Sequence, residues 1–143
     1  MKKIVYVIKI LLSFVITFSL FMEWIWYVLT FSNIPTVFTT QMAQDFKIII
    51  CLFCVTLFAL LLEFFINKKN KIRGSYLVIL AGILLLLLWS IRYSTGFNYN
   101  SREQIINIYD KRIVTFGLFI SILCIVTQLY QTIKARKHRE RQG

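Results

Sequence analysis

Two cysteines three residues apart are the part of this sequence best suited to chemistry. Cys51 and Cys54 form a C-x-x-C motif, and one turn of helix would bring their side chains to the same face, as dithiol exchange requires. The single histidine, His138, stands among lysines and arginines that repel a cation, so no metal, haem or other cofactor site is predicted. Whether the cysteines can act depends on the elements that carry them.

Four apolar segments must position these side chains. A helix needs about 20 mainly apolar residues to cross a bilayer core, and 58 % of the 143 residues are hydrophobic while only 16 % are charged. The first segment lacks the small-residue cleavage site of a signal peptide, so it is interpreted as a retained helix. The sequence predicts one all-α membrane domain over residues 1–143. Its four transmembrane helices are predicted at residues 4–24, 46–66, 75–92 and 113–133.

The basic residues set the predicted orientation, because lysine and arginine are enriched on the cytoplasmic side of membrane proteins. Twelve of the 17 lysines and arginines flank one side of the predicted spans. The five on the other side are Lys47, Arg92, Arg102, Lys111 and Arg112. The sequence therefore predicts an antiparallel four-helix bundle with both termini in the cytoplasm, in a membrane interpreted as the bacterial plasma membrane.

The basic tail, residues 134–143, is predicted to bind anionic membrane lipid, because each basic residue near the surface contributes about 1 kcal/mol of attraction. The cations assigned to this role are Lys134, Arg136, Lys137, Arg139 and Arg141. A net charge of +11 can also indicate a nucleic-acid partner. The sequence offers no soluble module that could read a groove or stack bases, so nucleic acid is not expected as a partner.

Glu23 and Arg92 are the most informative ionisable residues in the spans. Comparable lengths of helix precede them in two spans that both run from the inside outward, so both would reach the same outer depth. We predict that they form an ion pair or share a water-filled outer vestibule. The alternative is that each faces the lipid headgroups independently. No acidic residue is predicted in the middle of a span.

Small and polar residues recur at helical spacing on each span, as helix contacts in lipid require. The clearest stripe is on the fourth span and consists of Gly117, Ser121, Cys124 and Gln128. It predicts close packing against another helix; the alternative is that such stripes line a polar pore or substrate path. Tryptophans, including Trp89, are expected at the outer membrane interface.

Two connectors are predicted outside the membrane, residues 25–45 and 93–112. Ser101 and Gln104 resemble a helix cap, so the residues that follow are predicted to form either a short interfacial helix or an extension of the fourth span. The apolar loop around Pro35 is interpreted as lying in the interface or covering the bundle. Both connectors offer surfaces to a partner.

In its number of spans, its termini and the position of Cys51 and Cys54, the chain resembles the membrane disulfide-bond oxidases, four-helix proteins that pass electrons to quinone. The resemblance covers topology and four residues, and it implies thiol-disulfide exchange at the two cysteines. The connectors contain no second cysteine pair, and residues 55–58 lack the arginine that those proteins tend to carry after the motif. Asp45 and Asp110 suggest the acid pair of membrane aspartyl peptidases, but both are interpreted as charges at helix ends.

The sequence thus favours a small non-catalytic membrane interaction protein. It would be an accessory subunit of a larger membrane complex or an immunity-type protein that guards against a membrane-active peptide or toxin, with another membrane protein or a second copy as its partner. The alternative is a homo-oligomeric pore, a holin-like permeabiliser or a small exporter. A membrane thiol-disulfide oxidoreductase is the minor alternative.

Overall fold

The computed structural model describes residues 1–31, 40–97 and 104–143, without the side chains of residues 104 and 105. Within these ranges the chain forms four α-helices. They are α1 (Lys2–Phe31), α2 (Thr40–Asn70), α3 (Tyr76–Thr95) and α4 (Gln104–Gln142). Each is long and apolar enough to cross a membrane, which confirms the prediction of an all-α chain with four helices that could span a membrane.

The helices run further than the predicted spans, most of all α4, which starts at Gln104 instead of residue 113. Hydropathy marks only the stretch that prefers lipid, whereas a helix continues as long as its backbone hydrogen bonds and side-chain contacts favour it. The residues from Gln104 onward therefore extend the fourth span, and the basic tail is also helical as far as Gln142. The predicted cap from Ser101 to Glu103 and the loop around Pro35 lie outside the described residues.

The turn between α2 and α3 has a specific cap. Lys71 adopts a left-handed backbone with φ 55°, and the Ile72 amide donates to the Asn67 carbonyl at 3.0 Å. This is the bond pattern of a Schellman motif, in which a left-handed residue ends the helix. The cap brings the chain directly into α3 and holds Lys71 beside the end of α2.

Helix α1 packs chiefly on α2 and α3 chiefly on α4, and further contacts join α1 to α3 and α2 to α4. The interior contains large apolar side chains that are fully buried. These include Ile16, Leu20, Ile49, Leu85, Trp89 and Ile120. Large apolar side chains also cover the outside of every helix, as a lipid-facing surface requires.

Trp89 lies inside the bundle and does not face outward, because α4 leaves space for it at Gly117. The side chain of Trp89 is 0 % exposed. A Cβ atom added at Gly117 would overlap the Trp89 ring, so the absence of a side chain at residue 117 creates the space for the indole.

Replacing Gly117 therefore tests this packing. Gly→Ala normally stabilises a helix by about 1 kcal/mol, but here Gly117→Ala should destabilise the protein by about 1–3 kcal/mol because the indole has to move. The measurement is thermal unfolding of the purified protein in mild detergent. Thr115→Ala, on the exposed side of the same helix, is the control and should change stability little. An unchanged or raised melting temperature for Gly117→Ala would show that Trp89 does not depend on this gap.

Candidate functional site

A buried polar network is centred on Glu63, which is 0 % exposed. Ser13 donates to Glu63 Oε1 at 3.1 Å, and Gln128 Nε2 donates to Glu63 Oε2 at 2.9 Å. Gln128 Oε1 in turn accepts a bond of 2.6 Å from the backbone N–H of Ser75, immediately before α3. We call Ser13, Glu63, Ser75 and Gln128 the Glu63 network; it joins α1, α2, α4 and the start of α3.

The second group, the Glu23 cluster, consists of Ser19, Glu23 and Thr56. Thr56 Oγ1 lies 2.5 Å from Glu23 Oε1 and 2.9 Å from Ser19 Oγ, so this hydroxyl is within hydrogen-bond distance of both α1 side chains. Glu23 is 0 % exposed, and its Oε2 atom has no hydrogen-bond partner among the described residues. A buried carboxyl oxygen without a partner is costly, so this atom is a candidate for a functional contact.

Glu23 lies beside the middle of α2, a position that counting residues along α1 did not predict. Its partner Thr56 directly follows Val55, the central residue of α2 (Thr40–Asn70). The Glu23 carboxyl therefore lies beside the middle of α2 and far from either end of that helix. Sequence counting missed this because α1 continues to Phe31, two turns past Glu23.

The third group, the Arg92 cluster, consists of Tyr27, Arg92 and Asp110. Arg92 Nη2 lies 2.5 Å from Asp110 Oδ2, and the Tyr27 hydroxyl donates to Asp110 Oδ1 at 2.6 Å. The Arg92 Nε–H donates to the Tyr27 oxygen. Asp110 is 0 % exposed. A charged hydrogen-bonded pair with a third polar group is a stable way to place an arginine near lipid.

The predicted pair of Glu23 with Arg92 is therefore corrected: Arg92 pairs with Asp110, and Glu23 bonds to Thr56. The physical reason is the length of α4. Because that helix begins at Gln104, Asp110 lies on its buried face and not in a connector. The amphipathic pattern after Ser101, interpreted as a possible extension of the span, was the available signal.

Three aromatic rings, those of Trp24, Tyr27 and Trp89, contact one another next to the Glu23 and Arg92 clusters. The ring of Trp89 lies 4.9 Å from that of Trp24 in an edge-on contact and 4.9 Å from that of Tyr27. Edge-on packing of this kind is favourable beyond the area that it buries.

Of the other predicted residues, the stripe on α4 lies inside the bundle and the two cysteines of the C-x-x-C motif lie outside it. In the stripe on α4, Ser121, Cys124 and Gln128 are all 0 % exposed, and Gly117 contacts Trp89. Cys51 and Cys54 are exposed free thiols on α2. A redox partner for them would have to approach from the lipid side of this helix.

The basic tail residues lie along the last turns of α4. Those assigned to lipid are exposed and comprise Lys134, Arg136, Lys137, Arg139 and Arg141. Arg136 also forms a surface ion pair with Glu140 at 3.1 Å, a type of contact that contributes little to stability. No group of three or more histidine, cysteine or acidic side chains suited to a metal occurs in the described part of the chain.

No known protein family, curated protein or solved structure matches this chain.

A double-mutant cycle tests the assigned partner of Arg92. Arg92→Gln and Asp110→Asn should each lower the free energy of unfolding, because each leaves a buried group without its partner. Together they should cost less than the sum of the two, with a coupling of about 0.5–3 kcal/mol. Stability is measured by unfolding in detergent.

Arg92→Gln combined with Glu23→Gln is the matched control for that cycle. These two changes should add to within about 0.5 kcal/mol, because the two residues have different partners. Strong coupling of Arg92 with Glu23, together with additivity between Arg92 and Asp110, would overturn the assignment.

Proposed function

We propose that this chain is a small non-catalytic membrane protein that acts by binding another membrane protein, either as an accessory subunit of a larger complex or as an immunity-type protein. The observation that carries the proposal is that the interior side chains of the bundle bond to and pack on one another. The buried polar side chains of the three clusters bond from helix to helix, and the ring of Trp89 packs on those of Trp24 and Tyr27. Because the interior side chains pack on one another, we expect a partner to bind the outer surface of the bundle.

The proposed arrangement is an antiparallel bundle in a bacterial plasma membrane, with both termini in the cytoplasm. Contacts between α1 and α2 support it, since Ser13 meets Glu63, Ser19 meets Thr56, and the ring of Phe31 lies 5.7 Å from that of Phe46. Residue numbers rise along one helix as they fall along the other. The charge bias supports the orientation, because twelve of the 17 basic residues flank the side proposed as cytoplasmic.

Cysteine labelling tests this orientation. In a variant with Cys51, Cys54 and Cys124 replaced by alanine, Ser94→Cys at the end of α3 should react with a membrane-impermeant maleimide on intact cells. Gly143→Cys should react only after lysis, because the C-terminus is proposed to be cytoplasmic. The reverse pattern would contradict the proposed orientation.

A small homo-oligomeric exporter or pore is the second candidate, and the Glu23 cluster favours it. Carboxyl groups inside membrane proteins often lie on ion or proton pathways. Glu23 is buried beside the middle of α2 with one oxygen unpartnered among the described residues. In this function Glu23 would bind and release a cation or proton, and the rings of Trp24, Tyr27 and Trp89 would have to move to open a path.

Native mass spectrometry distinguishes the two candidates. The tagged protein, purified from its own host membranes in mild detergent, should arrive with a second membrane protein in fixed stoichiometry. The Glu23→Gln variant should retain that partner, because the amide oxygen can still accept the Thr56 bond.

A defined homo-oligomer without a partner would contradict the interaction function and favour the exporter. In that case Glu23→Gln should abolish proton-coupled flux in proteoliposomes. Gln41→Ala, an exposed change at the start of α2, is the control and should leave flux intact.

A further inference from the structure

A cavity of about 420 Å³ opens between the end of α2 and the last turns of α4. It straddles the ends of the apolar stretches of both helices, where the chain becomes basic. Its volume lies in the range of small-molecule sites, roughly 300–1,000 Å³. Its position is therefore that of a site at the membrane surface.

The cavity is strongly basic. Six cationic or ionisable nitrogen side chains contribute to its lining, and no acidic residue is among the described residues that line it. The six are Lys68, Lys71, Lys134, Lys137, His138 and Arg141. They come from two helices and the α2–α3 turn, so the fold, and not one charged run, brings them together. Such a concentration of like charge favours an anion.

A buried amide pair forms part of the same lining. Asn67 and Gln131 are 1 % and 5 % exposed, respectively, and the Asn67 Nδ2 group donates to Gln131 Oε1 at 2.9 Å. Gln131 Nε2 and Asn67 Oδ1 have no partner among the described residues. If both amides are turned round, the pair still has one free N–H₂ group and one free carbonyl. The cavity thus contains a buried hydrogen-bond donor that lacks an acceptor.

Apolar and aromatic groups complete the lining. The rings of Phe64 and Tyr130 stack at 6.5 Å, and Lys134 Nζ lies 5.7 Å from the centre of the Tyr130 ring. Both rings line the cavity, and Tyr130 is also exposed on the outside of α4. An occupant can therefore extend from the basic part of the cavity along an apolar surface towards lipid.

We propose that this cavity binds the phosphate group of an anionic glycerophospholipid, with the glycerol and acyl region along Phe64 and Tyr130. The lysines and Arg141 neutralise the phosphate, and the free amide of the Asn67–Gln131 pair donates to one of its oxygens. A basic pocket between transmembrane helices at the cytoplasmic surface is a recognised form of lipid headgroup site. The proposal is independent of the protein partner proposed above.

The test is native mass spectrometry of the purified full chain titrated with phosphatidylglycerol, with phosphatidylcholine as the zwitterionic comparison. The protein should bind one phosphatidylglycerol molecule selectively. The pocket variant carries Lys68→Gln and Lys137→Gln, and its affinity should fall by at least about tenfold. The control variant carries Lys2→Gln and Lys3→Gln, which remove the same charge from exposed positions at the same end of the bundle, outside the lining and outside the basic tail; its affinity should fall by less than about threefold.

Gln131→Leu provides a second variant that leaves the net charge unchanged. It should weaken phosphatidylglycerol binding several-fold while the melting temperature shows that the bundle remains folded. If Gln131→Leu does not fold, the paired lysine variants decide the outcome.

Three results would overturn the proposal. Equal losses in the pocket and control variants would mean that this end of the bundle attracts lipid only by its overall charge. Equal binding of phosphatidylcholine would exclude recognition of an anion. Displacement of phosphatidylglycerol by inorganic phosphate alone, at concentrations that do not change the controls, would assign the cavity to a soluble phosphate compound.

Discussion

The hydrogen bonds around Glu63 determine the relative positions of the four helices. A carboxyl in an apolar interior requires partners, and here they come from Ser13 on α1 and Gln128 on α4. Gln128 also accepts from the Ser75 amide, and this approach requires Gly74, where an added Cβ would overlap the backbone of Gln128. Turning any of the helices by one residue would remove a partner from this network, so it determines their relative register.

The Glu23 cluster and the Arg92 cluster constrain the register of the helices in the same way at two other levels of the bundle. Apolar surfaces do not by themselves distinguish one helix contact from another in lipid, because acyl chains are as apolar as leucine. Polar bonds do distinguish them: Thr56 selects the face of α1 that carries Ser19 and Glu23, and Asp110 selects Tyr27 and Arg92. Between the Ser13 and Ser19 levels of α1, the fully buried side chain of Ile16 fills the interior. The bundle is thus an alternation of specific polar levels and packed apolar ones.

The sequence alone sufficed to predict four transmembrane helices, because that depends on the length of apolar runs, a local property. It did not predict the partner of Arg92, because this required knowing that α4 starts before Asp110. Trp89 illustrates the same limit: tryptophan commonly lies at membrane interfaces, and only the gap at Gly117 on another helix explains its burial. The position of the Glu23 carboxyl could not be predicted from α1 alone either. It follows from the contact with Thr56 on α2, and not from the number of residues that precede Glu23.

The two ends of the bundle differ in how their charges are compensated. Near the end of α3, the guanidinium of Arg92 has a buried carboxylate and a phenol as partners, so its charge is neutralised within the bundle. At the end of α2, cations from separate elements surround one cavity that has no acidic lining among the described residues. Like charges held together by a fold repel one another, and an external anion relieves that repulsion. The basic end is therefore where the folded bundle gains most from a bound anion.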